Sequence, residues 1–281
     1  MALTKVSEFI RPHTLAEAFS LLDGKGVRIV AGGIDVVLFP SGAEQLIDIT
    51  ALPLSGIERR NGGISIGATT TLTETLGSPL VKEYLNGIIC EMLHKVASPL
   101  QRNLATIGGS LMIAHPWSDL IPVFLVLGAK IVYFDGEEHE VPIDRFYAEN
   151  VHRRKIILTR VNFPRRGEGT ASSFIKFSRT AFDIALLNCA ALVETVDGRC
   201  TAARIAVGGT PARAELLTRT AEIITGQPLS DETIAQVARA ARDEAKVGDD
   251  MRASADYRRE LVEVGVKRAL IRIREQLEEI A

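Results

Sequence analysis

The stretch Arg102-Asn103-Leu104-Ala105-Thr106-Ile107-Gly108-Gly109-Ser110-Leu111 decides how the rest of the chain is read. It sets a pair of glycines between two hydroxyl side chains, Thr106 and Ser110. Glycine lacks a Cβ, so its backbone approaches a neighbour closely and reaches positive φ at little cost. Hydroxyls and successive N–H groups suit phosphate oxygens. A second glycine pair lies upstream, in Ile29-Val30-Ala31-Gly32-Gly33-Ile34-Asp35-Val36, after a β-like run. Neither segment is a G-x-G-x-x-G or a G-x-x-x-x-G-K-[ST] fingerprint. Taken singly, the upstream pair is better read as a plain tight turn. Asp119, ten residues past Gly109, reads either as an acceptor for sugar-like hydroxyls or as the cap of an apolar helix over Leu120–Leu127.

Outward from these segments, Thr14–Leu22 has the spacing of a short amphipathic helix, and Val27–Ala31 and Gln45–Ile49 read as strands. They predict a small β-α-β lobe over residues 1–55. A second lobe, 56–166, begins with a strand at Ile64–Ala68 after the turn Asn61-Gly62-Gly63. It continues through helical character over Val81–Val96, a glycine turn at Thr106–Gly109, a strand at Lys130–Phe134, a hairpin signal at Asp135-Gly136 and a strand over Ile156–Phe163. Arg165–Thr170 reads as a linker. Residues 171–281 predict three strands (Ser173–Ser178, Asp183–Glu194, Ala203–Val207), then a Ser230-capped helix and a last helix from about Asp256. The apolar side of that helix includes Val262, Val266, Ala269, Leu270, Ile273, Leu277 and Ile280. Its charged face, with Arg258, Arg259, Lys267, Arg268, Arg272 and Arg274, is read as solvated or as a subunit contact. Strands followed by helices imply an α+β C-terminal domain.

The 281 residues are 46% hydrophobic and 24% charged, with a formal charge of −2. That balance calls for neither nucleic acid nor an anionic membrane as partner. The three cysteines, Cys90, Cys189 and Cys200, contain no C-x-x-C. They argue against an iron–sulfur or zinc site built from this chain and fit a reducing cytoplasm. Met1–Glu8 lacks the apolar core of a signal peptide, and the most apolar runs are too short for a membrane span. The chain is therefore expected to be soluble and cytoplasmic. The five histidines form no metal spacing or triad; His115 is a candidate wall of a pocket, and Trp117 reads equally as packing or as an aromatic at a ligand edge. The run His152-Arg153-Arg154-Lys155 reads most simply as a solvated turn.

The ordered set Ala31-Gly32-Gly33-Ile34-Asp35, Leu46-Ile47-Asp48-Ile49, Ile66-Gly67-Ala68-Thr69-Thr70, Arg102–Leu111, Pro116 and Asp119 resembles the FAD-binding subunits of molybdenum hydroxylases, the carbon monoxide and xanthine dehydrogenase type. The likeness continues through Phe174-Ile175-Lys176, Asp183-Ile184-Ala185 and Val207–Arg213. The resemblance implies a two-lobed vanillyl-alcohol-oxidase-like FAD-binding domain, followed by a C-terminal domain of a small antiparallel sheet with helices. It implies FAD contacts at Ile29, Val30, Ala31, Gly32, Gly33, Ile34, Asp35 and Val36, and at Thr106, Ile107, Gly108, Gly109 and Ser110. Asp119 matches an acid that holds ribityl or ribose hydroxyls. Leu158 matches a position whose backbone faces the cofactor. Lys176 matches a lysine near it, and Ile184 an apolar residue beside the isoalloxazine. The departures are Ile34, His115–Ser118 and Leu100, where the family more often has Thr or Ser, small residues, and Ile in Gln-Ile-Arg-Asn.

The resemblance also implies partners: a small subunit with [2Fe–2S] clusters and a molybdopterin large subunit, assembled as a dimer of heterotrimers. NAD⁺, a quinone or another acceptor would take the electrons. No side chain here is expected to act as nucleophile or metal ligand. A stand-alone FAD oxidase or dehydrogenase of the same fold is the alternative. A third reading is an assembly subunit that has lost FAD, against which the intact glycines argue.

Overall fold

The computed structural model describes residues 5–39, 42–209 and 211–280. Met1–Thr4, Thr210 and the side chain of Ile280, quoted above, lie outside that description. The chain forms two compact units. One comprises residues 1–80, 98–113 and 130–163; the other comprises 81–97, 114–129 and 164–281.

The first unit holds two sheets. Strands β1 (Glu8–Ile10), β2 (Val27–Val30) and β3 (Gln45–Asp48) pair in parallel in the order β1-β3-β2. The Leu15–Leu21 helix connects β1 to β2, as its sequence predicts. Thr14 accepts from the Glu17 N–H to start it, which satisfies one of the donors a helix terminus leaves open. Parallel strands are buried, and Leu46 and Ile47 of β3 are. Asp48 closes β3: it accepts from Arg11, from the Thr50 N–H and from the Thr50 hydroxyl. The motif residue Asp48 therefore has a structural task.

Strands β4 (Ile57–Arg60), β5 (Gly63–Gly67), β6 (Lys130–Phe134), β7 (Glu138–Pro142) and β8 (Ile157–Phe163) form an antiparallel sheet in the order β4-β5-β8-β6-β7. The β4–β5 hairpin turns through Asn61 and Gly62, both at positive φ, as a two-residue turn requires. One expectation fails here. Thr106–Gly109 is not a free turn: Ile107–Ile113 is a helix, and the glycines occupy its first turn. The reason is Thr106, which supplies the starting acceptors described below.

In the second unit, β9 (Thr170–Phe177), β10 (Leu187–Val196), β11 (Arg199–Gly208) and β12 (Glu215–Leu216) form an antiparallel sheet in the order β12-β11-β10-β9. Alternation gives it two distinct faces. Ile175, Cys189, Ala191, Val193, Ile205 and Val207 pack against the Asp231–Glu244 and Ala255–Ile280 helices. The opposite parity carries polar groups. Lys176, Asn188 and Arg204 reach toward the loop 118–119 and the Leu120–Val126 helix.

Three further readings are corrected. Val81–Val96 is broken, because Leu85 and Asn86 take positive φ before the Ile88–His94 helix begins at Gly87. Strand β10 starts at Leu187, which leaves Asp183–Leu186 as a loop. Arg258 is not on a solvated face; it is fully buried. Its guanidinium meets the Leu186, Gly248 and Ala253 carbonyls and pairs with Asp250 at 2.7 Å. Burial acts to raise the Asp250 carboxyl, but hydrogen bonds from Arg258 and Arg252 hold it well below the ordinary range. The long helix thus pins the start of β10 through one side chain.

Replacing Arg258 by leucine removes the buried guanidinium donor from three carbonyls and leaves Asp250 with Arg252 as its remaining cation. Loss of one partner of a buried charged network costs about 3–5 kcal/mol. A clear drop in the thermal unfolding midpoint is expected by circular dichroism. An unchanged midpoint would mean that the guanidinium holds nothing.

Candidate functional site

The two glycine segments meet in the first unit. A Cβ built on Gly32 would lie 1.7 Å from the Leu104 carbonyl oxygen. No side chain fits there, so the turn after β2 sits directly on the residues that precede Thr106. Gly33 is different: it takes φ +74 and has only Val30 Cγ1 near, at 3.9 Å. It opens the Ile34–Leu38 helix without a side-chain cap. The N–H groups of Gly33 and Ile34 find no acceptor among the described residues.

The second segment is used more fully by the protein itself. A Cβ on Gly108 would lie 2.7 Å from that of Ala68, so this glycine is needed for close packing. The Ile107 N–H donates to the Thr70 carbonyl and the Gly108 N–H to that of Ala68. The Gly109 N–H donates to Thr106 Oγ1, and Ser110 Oγ donates to the Thr106 carbonyl at 2.8 Å. The expected set of free backbone and hydroxyl donors is therefore reduced. Three N–H groups and one hydroxyl proton start the helix and tie it to the Ala68–Thr70 segment. What the glycines leave is space rather than donors.

That space is a pocket of about 690 Å³. It is lined by Ala31, Asp35, Val36, Gly108 and Gly109, with Ile29 and Leu158 among its apolar walls. Met112 and Ile113 extend the helix side. Val30 and Ile34 are half-buried beside it in sequence, and Ile107 is fully buried. The same pocket is also lined by Arg28, His152, Arg153, Arg154 and Lys155. The basic run is thus a wall and not merely a solvated turn. Its periodicity carried no signal, but its position immediately before the strand that bears Leu158 did.

The second unit holds the remaining candidates. Asp119 precedes the Leu120–Val126 helix but makes no capping hydrogen bond. Its carboxylate accepts from Lys176 Nζ at 2.7 Å and from Asn188 Nδ2 at 2.7 Å. Lys176 also donates to the Lys95 carbonyl. Both side chains are almost closed to solvent, at 4% for Lys176 and 6% for Asp119. Burial pushes the Asp119 carboxyl up, and the charge and hydrogen bond of Lys176, then Asn188, act against it. Lys176, whose place in the alternation allowed solvent exposure, is therefore half of a buried ion pair. Asn188, which the sequence did not single out, locks the pair to the Ser118 carbonyl. His115 stacks on Trp117, with ring centroids 4.5 Å apart, and the Arg252 guanidinium lies 5.5 Å from the Trp117 centroid. Ile184 is exposed in the loop before β10, where Asp183 accepts its N–H.

The pocket combines apolar walls, a floor bared at Gly108 and Gly109, and a basic rim. Comparisons with known proteins name the family. Residues 4–166 match the family described as FAD binding domain in molybdopterin dehydrogenase. Residues 172–273 match the CO dehydrogenase flavoprotein C-terminal domain. The nicotinate dehydrogenase FAD-subunit of Eubacterium barkeri is 31% identical, covering 96% of this chain and 97% of its own length. The carbon monoxide dehydrogenase medium chain of Hydrogenophaga pseudoflava is 27% identical, over 94% of this chain and 95% of its own. A solved structure of carbon monoxide dehydrogenase from Hydrogenophaga pseudoflava superposes with a TM-score of 0.88 at 26% identity, covering 95% of this chain and 97% of that one. The chain belongs to the FAD-binding subunits of the molybdopterin dehydrogenases and has the two-part FAD-binding fold of that family. It is an oxidoreductase subunit, and its cofactor is FAD.

The buried pair yields a signed pH prediction. Lys176→Met leaves the Asp119 carboxylate buried without its cation, at a cost of about 3–5 kcal/mol near neutral pH. An acid whose folded pKa lies above its unfolded value binds more protons when folded, so its destabilising effect fades as pH falls. The stability gap between Lys176→Met and wild type is therefore expected to narrow as pH is lowered from neutrality in urea melts. A gap that widens on acidification would contradict the buried pair.

Proposed function

We propose that this chain is the electron-carrying flavin subunit of a heteromeric molybdenum hydroxylase, and that the pocket of the first unit holds the diphosphate of its FAD. The observation that carries this reading is the convergence of both glycine segments on one pocket. The proposed contacts are Ile29–Val36, Thr106–Ser110 and Leu158 in the first unit, and Asp119, Lys176 and Ile184 in the second. The open N–H groups of Gly33 and Ile34 are the donors best placed for phosphate oxygens. Gly33 takes positive φ at the start of the Ile34–Leu38 helix. Gly109 contributes by lacking a side chain, and Leu158 contributes wall and backbone.

When bound, FAD accepts electrons singly or in pairs and so joins one-electron donors to a two-electron acceptor. The chain's own residues bind and orient it. We assign the donors to [2Fe–2S] clusters on a small partner subunit, and substrate oxidation to a molybdopterin large subunit, in a dimer of heterotrimers. NAD⁺, a quinone or another carrier would accept the electrons. The named relatives support this arrangement, since they are medium chains or FAD subunits of dehydrogenases. We further assign residues 1–55 and 56–166 to two FAD-binding lobes and 171–281 to a C-terminal flavoprotein domain. The two matched family segments, which part between residues 166 and 172, support the second boundary. Among the described residues no helix is long and apolar enough to cross a membrane, and we place the complex in the cytoplasm.

The test is cofactor identity and its dependence on the glycines. Purified chain should release FAD, and Gly33→Val and Gly109→Val should each abolish its binding while the second unit keeps its melting transition. Full FAD affinity in both variants would remove the diphosphate assignment. Turnover of a substrate by the isolated chain would remove the relay.

A further inference from the structure

Asn188 stands where three strands meet the loop that carries Asp119. It is fully buried. On the sheet it pairs with Lys176 of β9 on one side and with Gly208 of β11 on the other. A Cβ on Gly208 would lie 2.5 Å from Asn188 Oδ1 and 2.9 Å from the Ala214 Cβ, so the amide occupies room that only glycine leaves. The neighbours of Asn188 fix its orientation. The Ser118 carbonyl and Asp119 Oδ1 are both acceptors, so only Nδ2 can face them. Gly209, at φ +79, donates its N–H to the Pro116 carbonyl. The glycines of Val207-Gly208-Gly209 therefore seat the loop 116–119 on the sheet.

The loop is held from further sides. Ala114 takes φ +52, a left-handed conformation that alanine adopts only where its surroundings impose it. Trp117 stacks on His115 and meets Arg252, which also donates to the Ala185 carbonyl. At the end of the loop, Asp119 receives a donor on each oxygen: Asn188 on Oδ1 and Lys176 on Oδ2, both at 2.7 Å. Lys176 alone would hold one oxygen through a compact ammonium on a flexible stem, and the carboxylate could turn about it. Two donors on different oxygens stop that rotation. An ionised carboxylate has about four lone-pair sites, so those left over point in fixed directions. A carboxylate that accepts from neighbouring hydroxyls of a sugar or polyol needs that fixity. We infer that Asn188 is a positioning residue of the flavin site. Acting through Asp119, it sets the affinity for FAD, while Gly208 and Gly209 seat it and its loop. The inference deepens the FAD reading above and rests on it for the ligand and for the role of Asp119.

The test uses the full chain stripped of flavin. FAD affinity is measured by calorimetry, and acrylamide quenching of Trp117, the only tryptophan in the chain, reports on the loop. Asn188→Leu removes the donor at similar volume. Asn188→Asp keeps the shape and sets a carboxylate against Asp119. Each should raise the Kd for FAD about tenfold to a hundredfold, the worth of a hydrogen bond to a charged group. Each should also make Trp117 easier to quench before FAD is added. Adjoining carboxyls share a proton as pH falls, so the Kd of Asn188→Asp relative to wild type should then drop back, with Lys176 and Lys95 the cations opposing that protonation. Val193→Ala, on the helix-facing side of the same strand, should lower the melting midpoint and leave the Kd unchanged. In an Asp119→Asn background, Asn188→Leu should cost no further affinity. Asn188→Ser, smaller and still polar, replaces Asn188→Leu in that comparison if the apolar variant does not fold. A Kd that the Asn188 change leaves unaltered, or raises as much in Asp119→Asn as in wild type, overturns the positioning role and leaves the FAD reading standing. A wild-type chain that takes no FAD sinks the FAD reading, and the positioning role with it.

Discussion

No atom fits on the Cα of Gly32 other than hydrogen, because the Leu104 carbonyl already occupies the place of a Cβ. The first unit depends on that contact. It forces the turn after β2 against the residues that start the Ile107–Ile113 helix, although more than 70 residues separate them in sequence. A second contact of the same kind joins Gly108 to Ala68 at the end of β5. Together they tie the parallel sheet, the antiparallel sheet and the helix between them around one cavity. Any side chain at either glycine would part these elements by more than packing tolerates. The glycines are thus first a matter of assembly, and only then of ligand access.

This separates roles that sequence reading merged. Four glycines looked like four equal members of a phosphate grip. Gly32 and Gly108 are consumed by backbone contact, whereas Gly33 faces open space and Gly109 meets only Thr106 Oγ1. A motif cannot distinguish them, because absence of a Cβ serves both purposes and leaves the same letter. The Thr106 and Ser110 hydroxyls were equally ambiguous. A Thr three residues before a glycine N–H is a helix start as readily as a phosphate ligand, and here the helix takes it.

Much of the fold was legible. The Leu15–Leu21 helix, β2, β3, β5, β6, β8 and both long C-terminal helices fall within a residue or two of their periodicity. Local propensity and burial pull the same way in those segments. Where they diverge, the reading slipped. Asp183–Leu186 has the composition of a strand, yet the Leu186 carbonyl serves Arg258 and the Ala185 carbonyl serves Arg252. Arg258 itself looked like surface, because nothing in a helical wheel shows that an aspartate eight residues upstream will follow it into the core. The partners of buried charges are tertiary facts.

The candidate site divides along the same line. Its glycine segments announce themselves through local order. The Asp119–Lys176–Asn188 cluster does not, since its members come from a helix start and two adjacent strands. On the sheet, Lys176 and Asn188 are cross-strand partners, so one face presents a donor pair to a single carboxylate. A buried ion pair of this geometry gains little net stability over apolar packing. Its value is directional: it holds loop 118–119 by a carboxylate, an amide and an ammonium that satisfy one another. The pocket of the first unit has open space and cations along its wall, whereas the second unit presents an ion pair closed within itself, with both charges satisfied by neighbours on the same sheet face and the loop it holds.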